Sequence, residues 1–238
     1  RGYKATESGE DLLRVAEATH DQFSQLASRI KGRGDTISGE LVVTSLIELV
    51  GWMTPVLVAF QKENPDVTVR FLTGERLFRL EYGEAHVAIR AGLAPDQPDN
   101  VVQPFITLRV GFYAHKSYVD RFGIPAGVED YAKHRFVVHD DMQMRAPFFQ
   151  WMHKVVPKDA MTFRCLDSNA LTEAILSGAG IGFLNQRDAK NNPDLIEIHP
   201  ALPEWDSPLW LVTHVDLHRT PKVQALVKFL KSNAKGLV

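Results

Sequence analysis

The first thirty residues distribute their apolar positions differently from the rest of the chain. Leu12, Ala16, Thr19, Phe23, Leu26 and Ile30 recur at spacings of four, three, four, three and four. That is an a/d seam of about two and a half heptads. Arg14, Glu17, Asp21, Gln25 and Arg29 fall off the seam. Thr6 or Ser8 can cap the helix start, and Gly32 and Gly34 end it. So narrow a stripe has nothing within one helix to pack against. The pattern favours a two-helix contact between subunits over packing on its own domain, because the polar, glycine-rich Lys31 to Thr36 loop follows.

From Ile37 onward strand and helix patterns alternate. Leu41-Val42-Val43 reads as a buried strand, and Leu46 to Lys62 as a helix with Pro55 near an early turn. Val67 to Phe71 alternates as a strand, Leu77 to Glu81 is a short helix ended near Gly83, and Val87-Ala88-Ile89 is a further strand. This β-α-β-α-β order predicts a mostly parallel sheet covered by helices. A second unit follows. Strands are expected at Leu108 to Ala114, Phe136 to Val138, Thr162 to Leu166 and Ile181 to Leu184, with helices at Lys116 to Arg121, Phe148 to Val155 and Asn169 to Leu176. Leu195 to Ile198, Pro208 to Thr213 and a helix from Pro221 to Lys231 complete the chain.

Composition narrows the function classes. The 238 residues are 45% hydrophobic, enough for one or two packed domains. Lys and Arg number 27 against 29 Asp and Glu. No basic run matches a phosphate backbone, so this chain alone is expected to bind DNA poorly. The lone Cys165 cannot close an intramolecular disulfide and reads as a small buried hydrophobe in an apolar strand. It points to a reducing compartment and disfavours peroxide sensing by a cysteine pair. No stretch reaches the ~20 apolar residues of a membrane span. Arg1-Gly2-Tyr3-Lys4 starts no signal peptide and no initiator Met precedes it, so a mature or truncated chain is expected. No nucleophile elbow, His-Glu-x-x-His or phosphate-binding loop is present, so neither an enzyme nor a cofactor is expected.

Several segments, in order and spacing, resemble the LysR-type transcription regulators of bacteria. Arg1 to Gly9 is similar to the end of that family's winged helix-turn-helix and the threonine that caps its linker helix. Gly39-Glu40-Leu41-Val42-Val43 resembles the opening of its first lobe, and Pro55 to Phe60 with Asn64-Pro65-Asp66-Val67 a helix-to-strand join. Tyr82 to Arg90 resembles its Gly-x-x-Asp-x-Ala-Ile segment, with His86 where aspartate is usual. Ser168-Asn169-Ala170-Leu171 and Ser177 to Leu184 resemble the second-lobe helix and glycine-rich strand. The resemblance implies two Rossmann-like α/β lobes joined by crossover strands, of the type II periplasmic-binding-protein kind, preceded by a long linker helix. Residues 1–36 would end the DNA-binding wing and form the dimerising helix. Residues 37–105 with 209–238 would form lobe I, and 106–208 lobe II. The expected protein is a cytoplasmic homodimer or homotetramer that senses a small effector and contacts DNA through an N-terminal domain mostly missing here. A solute-binding protein of a transport system is the alternative.

Ligands of open α/β sheets sit beyond the carboxyl ends of the strands. Two helices should begin there, one after Thr44-Ser45 and Leu46, the other after Ser168-Asn169. Exposed N–H groups and the helix dipole favour an anion, most simply a carboxylate, bound between the lobes. The four polar side chains either bind it or cap their own helices. Arg90 either grips a ligand carboxylate or is a surface arginine or part of an internal salt bridge. Gly74 and Glu75 are expected at the rim and His139 in the second-lobe wall, where Asp140 and Asp141 would repel an anion. Phe183 offers an apolar face or, more simply, joins the core. Gly178, Gly180 and Gly182 form no dinucleotide fingerprint and fit tight backbone at a helix C-terminus.

Overall fold

A computed structural model describes residues 37–74, 78–144 and 146–234, with Thr6, Ser8, Gly9, Leu12, Leu13, Val15, Ala16, Thr19 and Phe23 in the N-terminal stretch. Leu26, Ile30 and Glu75 lie outside the described residues. From Ser8 to Phe23 the described residues are helical. The Gly9 N–H donates to Thr6 Oγ1 at 3.2 Å, so Thr6 caps the start. Leu12 is 71% exposed and Phe23 66% exposed, which leaves the described part of the seam uncovered in one chain.

The chain divides into two compact units. The first takes residues 1–90, 94–105 and 210–236. Its sheet has the order β2-β1-β3-β10-β4, from β1 (Gly39–Ser45), β2 (Val67–Thr73), β3 (Val87–Ala91), β4 (Asn100–Leu108) and β10 (Ser207–His214). β1 runs parallel to both β2 and β3. Leu41, Val43 and Val87 are fully buried, as expected for strands covered on both faces. Helix α1 (Val50–Glu63) buries Trp52, Met53, Leu57 and Phe60, and the final helix (Pro221–Asn233) buries Val223, Leu226, Val227 and Leu230. The two helices meet where Phe60 packs edge-on against Phe229 at 5.4 Å.

One expectation for this unit needs correction. The segment after β1 does not enter an α-helix at Leu46. A 3-10 turn, Ile47–Leu49, comes first. Pro55 lies in the second turn of α1, an early turn as expected.

The second unit takes residues 91–93 and 106–209. Leu108 to Ala114 is not one strand. β4 ends at Leu108 and β5 (Val110–His115) begins two residues later, pairing antiparallel with β8 (Gly182–Asn185) and β9 (Leu195–His199). β6 (Phe136–His139) and β7 (Met161–Cys165) pair in parallel. Around these strands lie α2 (Lys116–Phe122), α3 (Pro147–Val155), α4 (Ser168–Leu176) and α5 (Gln186–Lys190). Aromatic rings fill the centre: Phe112 lies within 6.3 Å of Tyr131, Phe136, Trp151, Phe183 and Trp205.

The glycine-rich segment has two explanations, not one. Gly178 has φ +78° and closes α4 through Gly178 N–H to Ile175 O and Ala179 N–H to Ala174 O, a helix C-terminus as expected. Gly180 serves strand packing instead. A Cβ there would fall 2.6 Å from the Arg135 carbonyl oxygen, which accepts from Ile181 N–H. Cys165 packs against the core of this unit but is only half-buried, since β7 is largely exposed, and its Sγ accepts from Asp167 N–H at 3.4 Å.

Burial holds the imidazoles of His134, His153 and His218 below the usual histidine pKa. Nearby Asp130 opposes this at His134, and the His139 carbonyl and Asp141 oppose it at His153. As pH falls through about 6.5 the unfolded chain takes up protons that the folded chain refuses. Stability is therefore present above that pH and lost below it. The urea midpoint is expected to be lower at pH 5.5 than at pH 7.5, and a His153→Gln variant to lose less on acidification. A flat profile would contradict this.

Candidate site at the strand ends

The parallel register brings the carboxyl ends of β1, β2 and β3 to one side of the first sheet. Ser45 stands opposite Thr73, and Thr44 opposite Ala88, two residues before Arg90. Gly74 N–H donates to Ser45 O at 3.4 Å, which ties the end of β2 to that of β1. Thr44 and Ser45 belong to the strand and are 6% and 4% exposed. No side chain caps the 3-10 turn that follows, and Leu46 at its cap position has extended backbone. The Ser45 hydroxyl oxygen is buried without a hydrogen-bond partner among the described residues. A buried hydroxyl left unpaired costs about 1–3 kcal/mol. That of Ser45 lies next to an uncapped helical start.

Arg90 is committed inside the unit. Its guanidinium donates to the Phe78 carbonyl at 3.1 Å and to Gln97 Oε1 at 3.4 Å. Partial burial lowers its pKa and Glu81 opposes that, yet an arginine stays charged. It fixes the loops at 78 and 97 and places a positive charge beside the strand ends.

His86 settles the question its unusual position raised. The His86 N–H donates to Val42 O at 2.9 Å, and its Nδ1 accepts from Val42 N–H at 2.9 Å. The imidazole supplies an acceptor to a buried strand amide, as a carboxylate could. His86→Ala is expected to leave that amide unpaired and to cost about 1–3 kcal/mol in urea denaturation. His86→Asp should recover part of the loss, and an alanine variant of unchanged midpoint would refute the role.

The second unit meets the expectation differently. Ser168 and Asn169 do not precede their helix; α4 begins at Ser168, and the preceding Asp167 caps it by accepting from Ala170 N–H at 2.9 Å. This helix start already holds a carboxylate, so it is less ready for an external anion than the uncapped turn after Ser45. Ser168 is half-buried and Asn169 exposed. His139 is no open wall. It is fully buried, its Nδ1 accepts from Asp141 N–H at 3.1 Å, and its Nε2–H donates to the Leu166 carbonyl at 3.0 Å. Asp140 is neutralised by Arg164 at 2.5 Å, which removes part of the expected repulsion. Phe183 is 8% exposed and belongs to the aromatic core.

Sequence reasoning missed Asp167, although aspartate is a strong cap residue, because Ser168 and Asn169 carry the same signal one and two positions on. Among the described residues, no group of three or more His, Cys, Asp or Glu side chains could hold a metal ion. Nor is any helix among the described residues long and apolar enough to cross a membrane.

Comparison with known proteins agrees with this architecture. The family described as LysR substrate binding domain matches residues 34–235. The HTH-type transcriptional regulator IlvY of Escherichia coli (strain K12) is 26% identical over 196 residues, covering 79% of this chain and 66% of that protein. An HTH-type transcriptional regulator of Xanthomonas campestris pv. campestris is 26% identical, covering 76% of this chain and 55% of its own length. The chain thus spans just under two thirds of the first relative and just over half of the second. Two solved structures share the fold. CrgA, a LysR-type transcriptional regulator from Neisseria meningitidis, gives a TM-score of 0.70 at 19% identity, covering 98% of this chain and 81% of that one. The Vibrio cholerae virulence activator AphB gives 0.68 at 17% identity, covering 97% and 81%. With its parallel first sheet, its second α/β unit and a family match over most of its length, this chain belongs to the LysR substrate-binding domain family.

Proposed function

We propose that this chain is the effector-sensing part of a cytoplasmic, DNA-binding transcription regulator, and that its effector is a small carboxylate held at the strand ends of the first unit. The observation that carries the reading is the buried, unpartnered Ser45 hydroxyl beside an uncapped helical start. A carboxylate there would accept from Ser45 Oγ and from backbone N–H groups, with Leu46 and Gly74 at the rim and the Arg90 charge nearby. Glu75 is a further rim candidate. Ser168, Asn169 and His139 remain candidates in the second unit, with His139 acting through the backbone it fixes. The curated relatives above carry the names of transcription regulators, which favours this reading over a transport solute-binding protein.

Ligand binding changes such a protein only by favouring one conformation over another. The helix with Leu12, Ala16, Thr19 and Phe23, continued by Leu26 and Ile30, would pair with a second copy and carry that change to a DNA-binding domain. Calorimetric titration with a panel of small carboxylates tests the sensor. Binding by the wild type that is weakened in Ser45→Ala supports it, and equal binding by both proteins refutes the assignment. Sedimentation tests the helix: the chain is expected to dimerise at micromolar concentration, and Leu12→Asp with Phe23→Asp to shift it to monomer. A strictly monomeric wild type would refute the pairing.

A further inference from the structure

A groove of about 530 Å³ opens in the second unit, lined by none of the residues at the strand ends described above. Its wall is a registered cross-strand pair, Tyr113 on β5 and Glu197 on β9. Pro193 and Leu195 add apolar surface, and Gln186 and Lys190 come from α5. The Tyr113 ring lies back over Gly111, where a Cβ would fall 2.4 Å from its Cε2. Glycine at 111 therefore makes room for the ring that floors the groove. Lys190 and Glu197 line the same groove, yet no ion pair joins them among the described residues. The groove's surface is more polar than apolar, and two unpaired opposite charges along it match a ligand carrying both charges itself.

We propose that this groove binds a free amino acid with an apolar side chain, as a second small-molecule site distinct from the effector site. Lys190 faces the carboxylate, Glu197 the ammonium, and Tyr113, Pro193 and Leu195 the side chain. Gln186 adds an amide donor and acceptor. The volume suits a small ligand. Burial and the neighbouring Glu197 both raise the Tyr113 pKa, so its phenol stays a donor. The site shares no residue with the strand ends of the first unit, so it stands or falls independently of the effector reading.

Calorimetric titration of the whole chain with L-leucine tests it, with N-acetyl-L-leucine and L-leucinamide as probes lacking one charge each. Lys190 and Glu197 are exposed, so Lys190→Met and Glu197→Gln leave the core intact, which an unfolding curve verifies. L-leucine is expected to bind, with each variant and each one-charge probe weakening binding by about tenfold or more. Ser45→Ala should leave L-leucine binding within about twofold. No binding up to about 10 mM, or binding unaffected by both groove variants, would overturn the proposal. So would binding abolished by Ser45→Ala alone, which would place the amino acid at the strand ends instead.

Discussion

Replacing Trp205 by alanine should cost about 3–5 kcal/mol, the largest loss expected from any single truncation in the second unit. The side chain is fully buried. Its ring packs edge-on against Phe183 at 4.9 Å and Trp151 at 5.0 Å, with His199 at 5.5 Å. Removing it deletes a large apolar area and leaves a cavity walled by rigid rings that cannot collapse. For a chain of this length the midpoint of thermal unfolding should fall on the order of 10 °C. Trp205→Phe is a sharper test. The indole Nε1 has no hydrogen-bond partner among the described residues. Phenylalanine removes that orphan donor while keeping most of the ring packing, so the two changes partly cancel. The phenylalanine variant is expected to lose less than about half of what the alanine variant loses. Equal losses would mean that the N–H is satisfied in solution and that the aromatic packing has been overvalued.

The second large effect falls on ligand binding rather than stability. Ser45→Ala should weaken the carboxylate effector by roughly 10- to 150-fold, the worth of a hydrogen bond to a charged group at about 1.5–3 kcal/mol. The same substitution should leave the free protein as stable or slightly more stable, because it deletes a buried hydroxyl that has no partner. This opposition of signs separates a binding role from a structural one. Had Ser45 capped the following turn, alanine would destabilise the free protein by about 1 kcal/mol. A destabilised variant that still binds its carboxylate would assign Ser45 to capping.

What the sequence disclosed depended on whether a feature was periodic or assembled. The apolar runs at 41–43 and 87–89 are continuous, and they pointed to the parallel pairing of β1 with its neighbours; the seam from Leu12 to Ile30 is periodic, but Leu26 and Ile30 lie outside the described residues. The break at Arg109 was not legible, because Leu108-Arg109-Val110 holds no glycine or proline to mark where β4 gives way to β5. His139 looked open at the end of its strand. Its second partner, the Leu166 carbonyl, comes from another strand end and is visible only once β6 and β7 are paired. Arg90 was left between ligand and internal partner, and the loop carbonyl at Phe78 that occupies it is likewise a product of folding. The candidate residues Thr44, Ser45 and Gly74 were reachable from the rule about strand ends. That the Ser45 hydroxyl stays unpaired is a property of the packed structure alone.

The equivalence expected of the two helix starts also failed for a physical reason. Both segments offer hydroxyl side chains, but only the second has an aspartate at the position that reaches back to the first free N–H groups. One start is filled by the chain's own carboxylate and the other is left open. The asymmetry is why the proposed anion is assigned to the first unit.

The strand ends of the first unit are proposed to recognise negative charge. Thermal unfolding of the wild-type chain against small carboxylic acids, each paired with its neutral amide of the same shape, tests this. A carboxylate at a hundred times its dissociation constant should stabilise by roughly 2.7 kcal/mol, while its amide at the same concentration should give little or no shift. If amides stabilise as well as their parent acids, or only neutral compounds stabilise at all, recognition of an anion at Ser45 is wrong.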